Sequence, residues 1–191
     1  MRITAGALKG RPLFVPKGLN VRPTSDKVRQ AIFNVLEHRD FGADFGLQNA
    51  RVLDLFAGTG ALGIEALSRG AAYAFLIDNA AASRATLRRN VEAMGLTGKT
   101  KIWRRDASDL GRNINQAFDP AFLDPPYGTN LLAPTLASLR AGGWLRAHAV
   151  VVAEAARDTN IPSTEYIRLL DERIYGETRV AFLRPSDTDN I

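Results

Sequence analysis

The sequence has no cysteine, which excludes disulfides, thiolate catalysis and cysteine-bound metals. Histidine is nearly as scarce. His38 and His148 lie far apart and match no ligand spacing, so no metal site is expected. No apolar run reaches the roughly 20 residues of a membrane span, and Met1-Arg2 leads into no signal-peptide hydrophobic core. A cytoplasmic protein with no membrane partner is expected. At 191 residues the chain is about one domain, without internal repeats, and a monomer is expected.

What is present begins with charge. Residues 1–29 hold Arg2, Lys9, Arg11, Lys17, Arg22, Lys27 and Arg29 against a single acid, Asp26. That segment therefore carries +6 of a chain total of +5, and the rest sums to −1. A basic edge on a near-neutral body suggests a polyanion partner. Charge alone does not separate this from an exposed terminus kept soluble by its basic residues.

Short extended stretches at Arg2–Ala5 and Arg11–Val15, broken by Gly6, Gly10, Pro12 and Pro16, predict a small hairpin or arm over residues 1–20. The main domain would fill 21–185. Its helical lead-in over 24–38 has apolar residues at Val28, Ala31, Ile32, Val35 and Leu36, capped by Thr24 or Ser25. Phe41–Asn49 is expected to be a linker.

From residue 51 apolar strands alternate with helices. Strands are predicted at Val52–Phe56, Tyr73–Ile77, Lys101–Trp103, Ala121–Leu123 and Val150–Ala153. Helices fall at about Ala61–Arg69, Ala80–Met94 and Leu131–Leu139. Tyr166–Ile174 and Thr178–Arg184, with only Tyr175-Gly176-Glu177 between them, must pair as an antiparallel hairpin. The fold class is α/β with a mostly parallel sheet, and residues 186–191 are expected to be a disordered tail.

Asp54-Leu-Phe-Ala-Gly58-Thr-Gly60-Ala-Leu-Gly63 joins the first of these strands to a helix. Glycines there allow a tight turn and close approach of a ligand at the carboxyl end of the sheet. Gly58, Gly60 and Gly63 also satisfy the dinucleotide fingerprint, with Asp78 at the end of the next strand to hold ribose hydroxyls under either reading. Asp54 discriminates. An acid four residues before the first glycine has no purpose beside a pyrophosphate, but it can pair with the ammonium of a cofactor that ends in an amino acid. Asp106 and Ala107, after the third strand, stand either near an adenine or at the cap of a short helix.

Asp124-Pro125-Pro126-Tyr127 follows the apolar run Ala121–Leu123. Two prolines end the strand, fix φ, and leave carbonyls that only accept hydrogen bonds. That arrangement suits a donor-only group, an amine. The exocyclic amine of a base is a poor nucleophile because its lone pair is delocalised. Acceptors for both its protons favour a pyramidal nitrogen, and Asp124 can take the released proton directly or through water. Tyr127 would hold a flipped base face-on.

The tetrapeptide resembles the Asp/Asn-Pro-Pro-Tyr/Phe signature of methyltransferases acting on planar nitrogens, and Asp-x-x-x-Gly-x-Gly resembles their first motif. Three further runs narrow the resemblance. Arg2-Ile3 with Gly6 and Lys9-Gly10-Arg11, Arg22-Pro23-Thr24-Ser25-Asp26 with Val28-Arg29 and Phe33-Asn34, and Glu65-Ala66-Leu67-Ser68-Arg69 after the glycine loop resemble the RsmD family over about residues 2–184. The resemblance implies a Rossmann-like class I methyltransferase with seven strands, one of them antiparallel. Its implied cofactor is S-adenosylmethionine, held by Asp54, Phe56, Gly58, Gly60, Asp78, Asp106, Ala107 and Asp124. The implied reaction is methylation of a guanine N2 amine in small-subunit ribosomal RNA, within an assembled or partly assembled subunit. Asp124, Pro125, Pro126 and Tyr127 would be catalytic, and Arg2, Lys9, Arg11, Arg22 and Arg29 would contact RNA phosphates. The same tetrapeptide also occurs on enzymes that methylate DNA adenine or cytosine, or a protein glutamine. The chain departs from the family at Asp78-Asn79, where glutamate and a charged residue are frequent, at Gln30 for a common glutamate, and at Tyr127 for a phenylalanine of some members.

Overall fold

The computed structural model describes residues 1–16, 25–42, 45–161 and 166–186. Helix α1 (Asp26–His38) is capped by Ser25, whose hydroxyl accepts from the Val28 amide at 3.2 Å. An exposed polar residue follows each buried pair, so Val28, Ile32, Phe33, Val35 and Leu36 form one buried stripe. Thr24, the other cap considered, lies outside the described residues, as do Lys17 and Arg22.

The parallel strands fall where their apolar runs predict. They are β1 (Arg51–Leu55), β2 (Tyr73–Ile77), β3 (Thr100–Trp103), β4 (Ala121–Leu123) and β5 (Val151–Ala156), with β6 (Ile167–Tyr175) and β7 (Thr178–Pro185) closing the chain. The sheet has seven strands in the order β3-β2-β1-β4-β5-β7-β6. Only β7 runs opposite to the other six strands. The hairpin is tighter than the sequence suggests: Tyr175 pairs with Thr178, leaving a two-residue turn opened by Gly176 at φ 61°. Strand β5 also runs three residues beyond its apolar core, because β7 pairs with it as far as Ala156.

Alternation along the strands divides the interior into two layers. Val52, Leu76, Phe122, Val152 and Phe182 face α1, α2 (Ala61–Ser68) and α3 (Ala81–Ala93). Leu53, Phe75, Leu123, Val151 and Leu183 face α4 (Leu132–Ala141) and the 104–118 loop. No helix crosses between β3 and β4 among the described residues; Leu110, Phe118 and Trp144 fill that space instead. None of the described helices is long and apolar enough to cross a membrane.

The N-terminal segment folds back on itself through Ile3 and Arg11 and packs on the domain. Ile3 and Leu13 are buried in the same layer as α1 and α2. Phe41 and Leu47, from the stretch expected to be a linker, are also buried there. Gly6 lies so close to α2 that a Cβ would fall 1.8 Å from the Ser68 carbonyl oxygen.

One carboxylate organises this face. Glu65, fully buried on α2, accepts from the Thr4 amide (2.8 Å), the Thr4 hydroxyl (2.6 Å), the Ala5 amide (3.0 Å), Arg29 Nε (3.2 Å) and Arg69 Nε (2.8 Å). Burial alone would raise its pKa. The Thr4 hydrogen bonds and the Arg69 guanidinium outweigh that and hold it below the usual glutamate range. Arg29 is thereby corrected as an RNA contact: it is fully buried, paired with Glu65 and Asp26, and donates to the Arg2 carbonyl. Removing a charge from such a network leaves two buried guanidiniums poorly matched. Glu65→Gln is expected to cost about 3–5 kcal/mol by urea denaturation; a loss under about 1 kcal/mol would put the network on a par with surface ion pairs.

Candidate active site

The sequence-predicted residues converge at the carboxyl ends of β1, β2 and β4. Leaving β1, the chain takes a positive φ at Phe56 (64°), and the Ala57 amide donates to the Ile77 carbonyl at the end of β2. A non-glycine residue in that region is strained and marks a constrained turn. Gly60, at φ 80°, then starts α2 without a side-chain cap. A Cβ on Gly60 would also meet Leu87 at 2.3 Å. At Gly58, by contrast, a Cβ would find only the Phe56 carbonyl oxygen at 3.7 Å, so that side of the loop is open.

Asp54 supplies the cap that Gly60 lacks. Its Oδ2 accepts from the Gly63 amide at 2.9 Å, satisfying an orphan donor in the first turn of α2. Asp78 holds the other side of the loop, accepting from the Gly58 amide (2.9 Å) and the Ala80 amide (2.8 Å). Asp106 accepts both the Ser108 amide (2.9 Å) and the Ser108 hydroxyl (2.7 Å), which hold its carboxyl below the usual range. It thus closes a local turn beside buried Ala107.

Burial pushes the Asp54 carboxyl up to about 7. The Gly63 amide opposes this, while the charges of Asp124 and Asp78 add to it. Asp124 and Asp78, from the strands on either side of β1, therefore both disfavour the Asp54 carboxylate at this end of the sheet. This decides between the two ligands that the glycine spacing admits. A pyrophosphate would add negative charge to three acids, whereas a cofactor bearing an ammonium and a sulfonium relieves them.

The Asp124–Tyr127 loop stands over β4 and β5. Asp124 is half-buried and Pro125 buried, while Tyr127 is 41% exposed. The Tyr127 hydroxyl lies 3.2 Å from the Thr178 hydroxyl at the start of β7. The Pro126 carbonyl accepts the Thr129 hydroxyl at 2.5 Å. The loop and the end of β5 enclose a cavity of about 260 Å³.

The family described as Conserved hypothetical protein 95 matches residues 1–184. The ribosomal RNA small subunit methyltransferase D of Escherichia coli K12 is 34% identical over 163 residues, covering 85% of this chain and 78% of its own length. The chain belongs to the RsmD family. YlbH of Bacillus subtilis 168 is 35% identical over 188 residues, 96% of this chain and 98% of that protein. A solved structure of YhhF from Escherichia coli superposes with a TM-score of 0.81 at 32% identity, covering 97% of this chain and 98% of that one. As an RsmD-family methyltransferase, the chain uses S-adenosylmethionine, and the open side of Gly58 and the three carboxylates fit that group.

Other residues of this RsmD-family site escaped the sequence reading. Asn90 is almost fully buried on α3, bonding the Phe14 amide (2.8 Å), the Phe14 carbonyl (3.1 Å) and the Thr59 carbonyl (2.8 Å). It ties the basic arm to the glycine loop. Its signal was a polar residue between Leu87 and Val91 on a buried helix face. Glu154 lines the cavity, and its signal was an acid inside an apolar strand. Of the basic residues, Arg2, Lys9 and Arg11 are exposed. Arg2 donates to the Gly10 carbonyl (2.9 Å) and Arg11 to the Ala93 carbonyl (2.5 Å).

An acid whose pKa is raised on folding binds more protons folded than unfolded between its two pKa values, so its contribution to stability falls as pH rises through that window. Without cofactor, the stability difference between wild type and Asp54→Asn is expected to fall from about pH 4 to about pH 7 and level off above. Denaturation across pH 4–8 checks this. A flat difference would refute the raised carboxyl.

Proposed function

We propose that the protein methylates the exocyclic N2 amine of a guanine in small-subunit ribosomal RNA, within an assembled or partly assembled subunit. The observation that carries the reading is the Asp124–Tyr127 loop beside a cavity at the end of β4, next to the carboxylate cluster. S-adenosylmethionine, when bound, supplies an electrophilic sulfonium methyl. Asp54 and Asp124 would hold its cationic end, Asp78 its ribose hydroxyls, and Asp106 and Ala107 its adenine, with Phe56, Gly58 and Gly60 forming the turn around it.

Asp124 accepts one proton of the target amine and a proline carbonyl accepts the other. Thr129 already bonds the Pro126 carbonyl, which favours that of Pro125. Those two acceptors draw the nitrogen toward a pyramidal shape and return its lone pair to it. After transfer the amine carries a surplus proton, which Asp124 takes directly or through water. Tyr127, its hydroxyl held by Thr178, offers an exposed ring to a base turned out of its stack, offsetting roughly a few kcal/mol of unstacking. Positioning of this kind can supply roughly 7–11 kcal/mol.

The arm supplies attraction for the RNA backbone. Asn90 places its Phe14 end beside the glycine loop, so Lys9 and Arg11 lie on the element that leads to the site. Arg22 belongs to the same proposal but lies outside the described residues.

The deciding experiment is transfer from labelled S-adenosylmethionine to unmodified small subunits, naked ribosomal RNA and duplex DNA, with nucleosides identified by mass. N2-methylguanosine from the subunit is the expected product; label in DNA or on protein would overturn the substrate. Asp124→Ala is expected to abolish transfer even at cofactor concentrations that saturate the variant, as read by calorimetry. Near-normal turnover would remove Asp124 from the chemistry. Lys9→Ala with Arg11→Ala is expected to weaken RNA binding and lower its salt slope by about two, leaving cofactor affinity unchanged. Equal loss of both affinities would place these residues in the fold instead.

A further inference from the structure

The arm has a counterpart in the second half of the glycine-loop side of the sheet. Residues 80–105 hold seven arginines and lysines against one acid, Glu92, a net of +6 that equals the charge of residues 1–29. Everything outside these two segments sums to −7. The fold gathers the second segment on one rim. Helix α3 joins β2 to β3, and β3 is the outermost strand on that side. Arg88 and Arg89 are exposed on α3, Lys99 and Lys101 on the return, and Arg104 just beyond the end of β3. Lys101 lies over the Phe75 ring, in the layer opposite α3, so the cations flank β3 on both faces. Among the described residues none of these five is in an ion pair. The rim is continuous with the arm: Arg11 donates to the Ala93 carbonyl at the end of α3, and the Arg89 guanidinium stands 3.7 Å from the centre of the Phe14 ring. It also reaches the candidate active site. The Asp78 amide donates to the Trp103 carbonyl at 3.3 Å, so Arg104 follows where β3 ends beside Asp78.

We propose that the rim formed by α3 and β3 is a second RNA-binding surface, on which Arg88, Arg89, Lys101 and Arg104 hold phosphates of the ribosomal RNA flanking the target base. This assignment rests on the RNA reading above and extends its contact surface beyond the arm. A guanidinium keeps its charge throughout the physiological range, and without a carboxylate beside it that charge is open to a polyanion. A lysine on an edge strand also keeps the strand from pairing with another chain. That accounts for Lys101 but not for the arginines of α3. Cations that served only solubility would be interspersed with acids, as they are in the rest of the chain; here one acid stands among seven cations. Two basic surfaces that run into one another match a phosphate backbone, which repeats its charge along its length and asks for no particular base. The net acidic remainder of the chain disfavours the same backbone, so the asymmetry also orients the protein on the RNA.

The test measures binding to unmodified small subunits and to naked small-subunit ribosomal RNA over a range of salt, for wild type and for a variant carrying Arg88→Gln, Arg89→Gln, Lys101→Gln and Arg104→Gln. The variant is expected to bind about 100-fold or more weakly at about 0.1 M salt, with the slope of log affinity against log salt reduced by about three. In methyl transfer the loss should fall on KM for the particle, with kcat at saturating particle retained. Arg146→Gln with Arg168→Gln, two exposed arginines outside the rim, removes charge elsewhere and should leave affinity and slope as in wild type. An unchanged slope in the rim variant overturns the proposal, and so does an equal loss in the control pair, which would make the effect one of net charge alone. If the fourfold variant loses cofactor affinity, Arg88→Gln with Arg104→Gln carries the test, because neither guanidinium bonds to another described residue. Its slope should fall by about one and a half, and a wild-type slope would refute the assignment. If wild-type protein binds and methylates neither RNA nor subunits, the RNA reading itself fails, a result distinct from an unchanged slope.

Discussion

Five hydrogen bonds converge on the Glu65 carboxylate, and the position of the glycine loop depends on them. Helix α2 is only eight residues long and buried throughout, too short to hold itself by its own backbone bonds. Its first turn is the wall of the glycine loop, so whatever fixes the helix fixes the loop. Glu65 clamps the helix from the side through Thr4, Ala5, Arg29 and Arg69, while Asp54 clamps its start through the Gly63 amide. Arg69 carries the clamp on to Glu37 of α1 at 3.0 Å. Two buried acids, one paired with guanidiniums and one with a helix amide, thus hold opposite ends of a single turn-and-helix unit.

The same contacts explain why an arm that looks peripheral in the sequence is built into the domain. Ile3 and Leu13 contribute apolar burial, but Thr4 and Ala5 supply the amides that Glu65 needs. Without them, a fully buried carboxylate would face two guanidiniums with its remaining lone pairs unsatisfied. The arm then runs past α3, where Asn90 bonds both Phe14 and Thr59. Its exposed cations are carried on a segment anchored at both ends, so a polyanion held there is held in fixed relation to the glycine loop.

The parallel strands, the hairpin and the two chemical motifs were legible because each has a local cause. Apolar runs mark buried strands, glycines mark the turn, and Pro125-Pro126 marks the strand's end. Arg29 was misplaced for the same reason. One basic residue in a basic segment looks like its neighbours, and only the packing of α1 against α2 reveals that Glu65 lies opposite. Charge patterning identifies a surface well and a buried ion pair badly. Asn90 was passed over because its partners, Phe14 and Thr59, lie in an arm and a loop distant in sequence, and Glu154 because it sits inside an apolar strand. An acid in an apolar strand or an amide on a buried helix face is nevertheless a signal that something must satisfy it.

Electrostatics divides the labour between the inside and the outside of this molecule. The exterior arm is basic, and its attraction for a polyanion would reach over distances set by salt. The interior end of the sheet is acidic, and Asp54, its carboxyl pushed up to about 7 by burial and by Asp124 and Asp78, is stabilised as a carboxylate by the Gly63 amide and would be further stabilised by a cation beside it. On the proposed reaction these three acids hold a sulfonium more tightly than the neutral thioether left after transfer, because the charge that relieved their repulsion has gone to the base. Asp124 then takes up the proton that the methylated amine gives up, and its own negative charge is cancelled. On that reading the arrangement that favours the cationic cofactor before transfer would favour its product less, since only the ammonium then remains for these side chains to hold.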